Sequence, residues 1–190
     1  MRIIGGSHRG RKLVDWEENG IRPMRDFVRS ALFNILSEIV PGAAFLDLYA
    51  GTGSVGLEAL SRGARSCTFV DASKDACAIV RRNLDALDFL GVAQVLEGDC
   101  MHMIDELKRR GRRFEVVFIG PPYYRELVPT TIEALGDGRL LAEDPVVVGE
   151  IHQTEDAMDA YGVLHLADAR RYGDNRLLFY RTGGRPNGKD

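Results

Sequence analysis

The sequence predicts a doubly wound α/β domain built on a mostly parallel seven-stranded sheet. Three observations carry that expectation. The 190 residues suffice for one full-sized core. Short apolar runs alternate with amphipathic helical stretches from residue 44 to 135, and the last two strand-like runs face each other across a hairpin turn. Such alternation implies right-handed crossovers and a parallel sheet covered by helices on both faces.

Taken in order, residues 1–22 are interrupted by Gly5, Gly6, Gly10 and Gly20, which suits a small hairpin or arm better than a helix. From Asp26, the residues Phe27, Val28, Ala31, Leu32, Ile35, Leu36 and Ile39 recur at helical spacing until Pro41-Gly42, predicting an amphipathic helix with one buried face. Strands are expected at Ala44–Tyr49, Ser66–Val70, Ala93–Glu97 and Glu115–Ile119. Helices are expected at Gly53–Arg62, Ser73–Leu87, Met101–Arg110 and Arg125–Leu135. Pro145–Ile151, Val163–Ala167 and Leu177–Arg181 are strand-like, and Tyr172-Gly173-Asp174-Asn175 has hairpin-turn chemistry, so the sheet is expected to finish with an antiparallel pair. Thr182–Asp190, rich in glycine and polar residues, reads as a disordered tail. The organisation is then a basic arm at 1–25, one folded domain at 26–181 and a tail at 182–190.

Composition narrows the function classes. Hydrophobic residues at 45% and charged residues at 28% fall in the globular range. No apolar stretch approaches the length of a membrane span, and Met1–Lys12 is basic without a secretory apolar block, so a soluble cytoplasmic chain is expected. Cys67, Cys77 and Cys100 form an odd set without a CxxC pair, and His8, His102, His152 and His165 are scattered, so neither disulfides nor a metal site is expected. A net charge of -3 argues against uniform cationic coating. Residues 1–29 nevertheless carry Arg2, Arg9, Arg11, Lys12, Arg22, Arg25 and Arg29 against Asp15, Glu17, Glu18 and Asp26, a local cationic patch.

The first strand leaves through Asp47-Leu48-Tyr49-Ala50-Gly51-Thr52-Gly53-Ser54-Val55-Gly56, whose glycines match GxGxxG. A dinucleotide site is one reading, and a plain strand-to-helix turn is another. Asp71 ends the next strand, where an acid binds ribose hydroxyls in either a nicotinamide or an S-adenosylmethionine enzyme. Asp47 separates the two. A carboxylate at this strand end opposes a pyrophosphate drawn to the helix amino terminus, whereas it helps to hold the ammonium and sulfonium of the methyl donor. Asp99, in Glu97-Gly98-Asp99-Cys100, sits where a side-chain acceptor takes the adenine amine, although a lone Asp after a strand also serves as a helix cap. Three acids at successive strand ends line the sheet edge where such folds bind ligands.

The fourth strand runs into Gly120-Pro121-Pro122-Tyr123-Tyr124. Prolines stiffen the backbone and cannot donate hydrogen bonds, so nearby carbonyls are free to accept, while an aromatic beyond them stacks on a flat base. The exocyclic amine of a base is a poor nucleophile because its lone pair is delocalised. Acceptors that bind its protons favour attack on a methyl group, and positioning supplies much of the remaining rate.

With these motifs in view, the chain resembles the RsmD-type methyltransferases, which modify a guanine at N2 in 16S ribosomal RNA. The resemblance runs through Met1-Arg2-Ile3-Ile4-Gly5-Gly6, Arg9-Gly10-Arg11-Lys12-Leu13, Ile21-Arg22-Pro23 and Ala31-Leu32-Phe33-Asn34-Ile35-Leu36. It continues through Phe45–Gly53, Gly56-Leu57-Glu58-Ala59-Leu60-Ser61-Arg62-Gly63-Ala64, Pro121-Pro122-Tyr123 and Tyr172-Gly173. It implies a Rossmann-like class I S-adenosylmethionine-dependent methyltransferase acting on 16S rRNA within the small subunit or its assembly intermediate; a monomer is expected. Asp47, Tyr49, Ala50, Gly51, Thr52 and Gly53 would hold the methionine part of S-adenosylmethionine, Asp71 the ribose, and Asp99 with Cys100 the adenine end. Gly120, Pro121, Pro122 and Tyr123 would hold the guanine, and Arg9, Arg11, Lys12, Arg22, Arg25 and Arg29 would face RNA phosphates. A base inside structured RNA must be flipped out to reach the donor, and Tyr123 or Tyr124 would stack on it.

Two departures stand out. Gly120 replaces the family's Asp before Pro-Pro-Tyr, and Met24-Arg25 replaces a Thr-Thr pair. Losing the side-chain acceptor is expected to cost roughly 2.7 to 4 kcal/mol of rate, by analogy with one preorganised oxyanion-hole donor, so a Gly120→Asp variant is expected to be faster. A water or a nearby acid such as Glu126 is one substitute, and an introduced inactivating glycine is another explanation. The alternative functions are a non-catalytic RNA-binding or assembly protein, or methylation of an adenine or cytosine amine. Lys108-Arg109-Arg110-Gly111-Arg112-Arg113 ends a helix, where cations complement the dipole, and reads as a solubilising turn with a secondary RNA contact as the further option.

Overall fold

In a computed structural model describing residues 1–14 and 24–183, the chain forms five α-helices and an eight-stranded sheet. The elements are α1 Asp26–Ile35, β1 Ala44–Leu48, α2 Ser54–Ser61, β2 Ser66–Asp71, α3 Lys74–Ala86, β3 Ala93–Glu97, α4 Cys100–Arg109, β4 Phe114–Ile119 and α5 Leu127–Leu135. Then come β5 Leu141–His152, β6 Ala160–Tyr161, β7 Leu164–Tyr172 and β8 Asn175–Thr182. The strand order is β3-β2-β1-β4-β5-β8-β7-β6. Pairing from β3 to β5 is parallel, while β8 is antiparallel to both β5 and β7. The expected seven strands are all present. The two-residue β6 joins them at the edge, too short to leave a sequence pattern.

Alternation along the parallel strands divides the core between two faces. Phe45, Phe69, Val116, Phe118 and Val148 pack with α1, α2 and α3, whereas Leu46, Leu48, Val117, Ile119 and Val147 pack with α4 and α5. Burying each such side chain contributes about 1.5–3 kcal/mol, so both faces hold the sheet between helices. At Gly56 in α2, an added Cβ would stand 2.3 Å from the Phe69 ring, and only glycine lets this helix lie so close to β2.

Residues 1–14 form a hairpin. Arg2 and Lys12 form an antiparallel bridge, and Ile3 N–H donates to the Arg11 carbonyl at 3.0 Å. Its apolar residues Ile3 and Leu13 enter the first core, so the hairpin is packed onto the body. Glu58 fastens it from α2, with Oε2 accepting from Ile4 N–H at 2.8 Å and Oε1 from Gly5 N–H at 2.7 Å. The expected Ile21-Arg22-Pro23 motif and residues 184–190 of the expected tail lie outside the described residues.

Two helices differ from expectation. α1 ends at Ile35, with Leu36–Ile39 in turns, and both Phe27 (51% exposed) and Ile35 (40%) lie outside the buried face formed by Val28, Leu32 and Phe33. α5 starts at Leu127 because Tyr124 and Glu126 adopt positive φ, and Pro129 then falls in the first turn, where its missing N–H is harmless. No described helix is long and apolar enough to cross a membrane.

Candidate active site

The order β3-β2-β1-β4 reverses direction between β1 and β4, and in open α/β sheets ligands bind outside the carboxyl ends of the strands at such a switch point. A cavity of about 310 Å³ opens there. One wall is the turn after β1, with Asp47, Tyr49, Ala50, Gly51 and Thr52; the other is Gly120, Pro121, Pro122 and Tyr123 after β4. Two turns far apart in the sequence therefore meet in one space, because β1 and β4 are neighbours in the sheet.

On the first wall Asp47 is 1% exposed and its Oδ2 accepts from Gly56 N–H at 2.9 Å. Its other oxygen has no hydrogen-bond partner among the described residues. Burial pushes its carboxyl up to about 8, against the opposing Gly56 hydrogen bond, with the nearby Asp71 charge adding to the rise. A desolvated carboxyl of this kind is suited to a cation. Gly51 and Gly53, at φ +55 and +78, make the turn, and a side chain added at Gly51 would meet nothing within 4 Å, so its backbone faces open space. Asp71 tightens the same turn: Oδ2 accepts from Gly51 N–H at 2.7 Å and Oδ1 from Ser73 N–H at 2.8 Å. Tyr49 lines the cavity, its hydroxyl 2.9 Å from Thr131 Oγ1 on α5.

Asp71, Asp99, Cys100 and Gly53 do not line this cavity. Asp99 is exposed and caps α4, its Oδ1 accepting from His102 N–H at 3.0 Å. Cys100 is buried, and burial raises its thiol to about 12. Asp99 closes the turn after β3, and Cys100 begins α4.

On the second wall the Tyr123 hydroxyl donates to Glu150 Oε1 at 3.0 Å. Glu150, near the end of β5, also lines the cavity, and burial raises its pKa against the opposing hydrogen bonds from Tyr123 and Asn175. Sequence reading missed it, because a lone Glu late in a strand carries no pattern. Glu126, the acid considered for that place, is exposed and lies outside the cavity lining. A second hollow of about 230 Å³ shares Met24 and Tyr123 with the first. It contains the exposed Tyr124, whose ring centroid lies 5.0 Å from that of His152, together with Arg25 and Asp174.

The cationic patch divides. Arg9, Arg11, Lys12 and Arg25 are exposed, although Arg11 Nη2 donates to the Ala86 carbonyl at 3.1 Å, and Arg22 lies outside the described residues. Arg29 corrects the expectation of a phosphate contact: it is fully buried, and Nη2 donates to the Arg2 carbonyl at 2.7 Å and Asp26 Oδ1 at 3.0 Å. Its position on the inner face of α1 turns it toward Glu58, 3.9 Å away, where it supports the hairpin rather than facing solvent. The hairpin touches the first wall through Thr52, whose hydroxyl donates to Met1 Sδ at 3.8 Å. Asn83 bonds the Val14 N–H and carbonyl and also the Thr52 carbonyl.

The family model described as "Conserved hypothetical protein 95" matches residues 1–181. The chain belongs to this family, the RsmD-type methyltransferases. Its RsmD-type relatives include "Ribosomal RNA small subunit methyltransferase D" of Escherichia coli (strain K12), 38% identical over 150 residues, covering 79% of this chain and 74% of that protein. "Putative rRNA methyltransferase YlbH" of Bacillus subtilis (strain 168) is 32% identical over 184 residues, covering 97% of this chain and all of that protein. The solved structure of "Putative methyltransferase yhhF from Escherichia coli" superposes with a TM-score of 0.84 at 32% identity, covering 96% of this chain and 97% of that one. The RsmD-type chain is thus a methyltransferase with the Rossmann-like class I fold.

Proposed function

We propose that the protein transfers a methyl group from S-adenosylmethionine to N2 of a guanine in 16S ribosomal RNA, on the small subunit or an assembly intermediate in the cytoplasm. The observation that carries this reading is the single cavity joining the buried Asp47 carboxyl to the Pro121–Tyr123 turn. The bound donor supplies an electrophilic methyl group on a cationic sulfur. Asp47, with its free oxygen, suits the donor's ammonium, and the open Gly51 backbone admits it closely. Asp71 and Asp99 keep unused acceptor capacity for the ribose and adenine, beside Cys100. Pro121, Pro122 and Tyr123 orient the flipped base, and phosphate contacts from Arg9, Arg11, Lys12 and Arg25 place the RNA. In this reading residues 1–25 are an RNA-facing arm before a catalytic domain at 26–181. The Escherichia coli relative, named for small-subunit ribosomal RNA, supports that substrate class.

The absence of a carboxylate at Gly120 favours a second reading, an RNA-binding assembly protein that keeps the donor pocket without turnover. Labelled S-adenosylmethionine incubated with unmodified small subunits, followed by nucleoside digestion, separates them. Labelled N2-methylguanosine is expected. Absence of label with the donor bound favours the assembly protein, and label on adenosine or cytidine reassigns the base.

A further inference from the structure

Amine methylation at this turn needs an acceptor, and the residue before Pro121 supplies no side chain. Gly120 N–H is itself committed to the Leu48 carbonyl at 3.2 Å. A Cβ at this position would lie 2.6 Å from Cε1 of Phe118, so that ring occupies the space a side chain would take. β4 and β5 run parallel with Ile119 paired to Gly149, which sets Glu150 level with Gly120, and both line the cavity.

Glu150 is 7% exposed and held from one side only. Both protein donors, the Tyr123 hydroxyl and Asn175 Nδ2, use Oε1. Oε2 has no hydrogen-bond partner among the described residues, and the side chain lines the same cavity as Pro121 and Pro122. A buried carboxylate with one oxygen anchored and the other free is a preorganised acceptor.

Resting on the methyltransferase reading above, we infer that Glu150 is a catalytic residue whose Oε2 accepts a hydrogen bond from the exocyclic amine of the target base and then takes its proton, in place of a carboxylate at position 120. The amine nitrogen forms the new N–C bond with its lone pair, and the electrons of the broken S–C bond remain on the donor's sulfur, which becomes a neutral thioether. One amine proton passes to Glu150 and from there to solvent. The transfer therefore moves one methyl group and releases one proton. Burial raises the proton affinity of the Glu150 carboxylate, which suits a group that must receive this proton.

The test is a double-mutant cycle of E150Q, G120D and the combined variant. The kcat and KM for unmodified small subunits are measured beside donor binding by titration and thermal melting. E150Q keeps an oxygen for Tyr123 and Asn175 but turns an N–H donor toward the amine. A fall in kcat of roughly a hundred- to a thousandfold is expected, with donor affinity and KM unchanged. G120D is expected to accelerate E150Q far more than it accelerates the wild type, restoring most of the activity lost in E150Q. The rescue is repeated with F118L, which opens the space filled by the ring. Full activity in E150Q, acceleration by the same factor in both backgrounds, or a loss that G120D does not repair with either residue at 118 would overturn the role of Glu150 while leaving the methyltransferase intact. Failure of every variant and of the wild type to transfer methyl, with donor bound, would remove the reaction and this role together.

Discussion

The two walls of the cavity are built by different means. On the donor wall the contacts are local and use the backbone: Asp47 is fixed by Gly56 N–H nine residues on, and Asp71 by Gly51 N–H twenty residues back. On the acceptor wall Glu150 is fixed by side chains 27 and 25 residues away, on the turn after β4 and on β8. A backbone-built wall leaves a short motif in the sequence and tolerates little change. A wall assembled from distant side chains allows its carboxylate to come from another strand, as Glu150 beside Gly120 illustrates.

The donor wall gives the largest expected effect. D47N keeps a group able to accept from Gly56 but removes the charge, and donor affinity is expected to weaken by roughly 2–5 kcal/mol, on the order of thirtyfold or more, in calorimetric titration. Stability should move the other way. The Asp47 carboxyl is raised from 3.8 to about 8, so between these values the folded chain holds a proton that the unfolded chain has released. Stability from this group therefore falls as pH rises through that window. The melting difference between D47N and wild type should shift in favour of D47N from pH 5 to pH 9; a shift toward the wild type would show that Asp47 is not desolvated.

Smaller effects sharpen the acceptor side. Tyr124 is 67% exposed beside His152, and Y124A is expected to weaken small-subunit binding by about 1–3 kcal/mol through lost stacking. Donor affinity should stay unchanged, and equal loss of both would contradict this division. The smallest effect concerns the hairpin. R9A and K12A should each lower the slope of log affinity against log salt by about 0.9. R29M should leave that slope unchanged and instead lower the melting temperature, because Arg29 pairs inside the fold with Asp26 and Glu58.

Legibility in the sequence followed the same difference. The order of strands and helices could be read because both periodicities are local, and the glycine turn with Asp47 could be read because its geometry is backbone geometry. Glu150 could not, since nothing near it in sequence distinguishes it from an ordinary strand-end residue; its partners Tyr123 and Asn175 reach it only when β5 pairs with β4 on one side and β8 on the other. Arg29 was misplaced because its charge suggested solvent, whereas the helical phase of Val28, Leu32 and Phe33 already placed it beside the buried stripe. Phe27 and Ile35 show the converse, apolar residues on the edge of that stripe that no partner covers completely.

The most direct test of this cavity is a competition between its two candidate ligands. Calorimetric titration of the purified protein should show saturable binding of S-adenosylmethionine and none of nicotinamide adenine dinucleotide under the same conditions. Binding of the dinucleotide instead would contradict the pairing of Asp47 with a cation and, with it, the proposed chemistry of both walls.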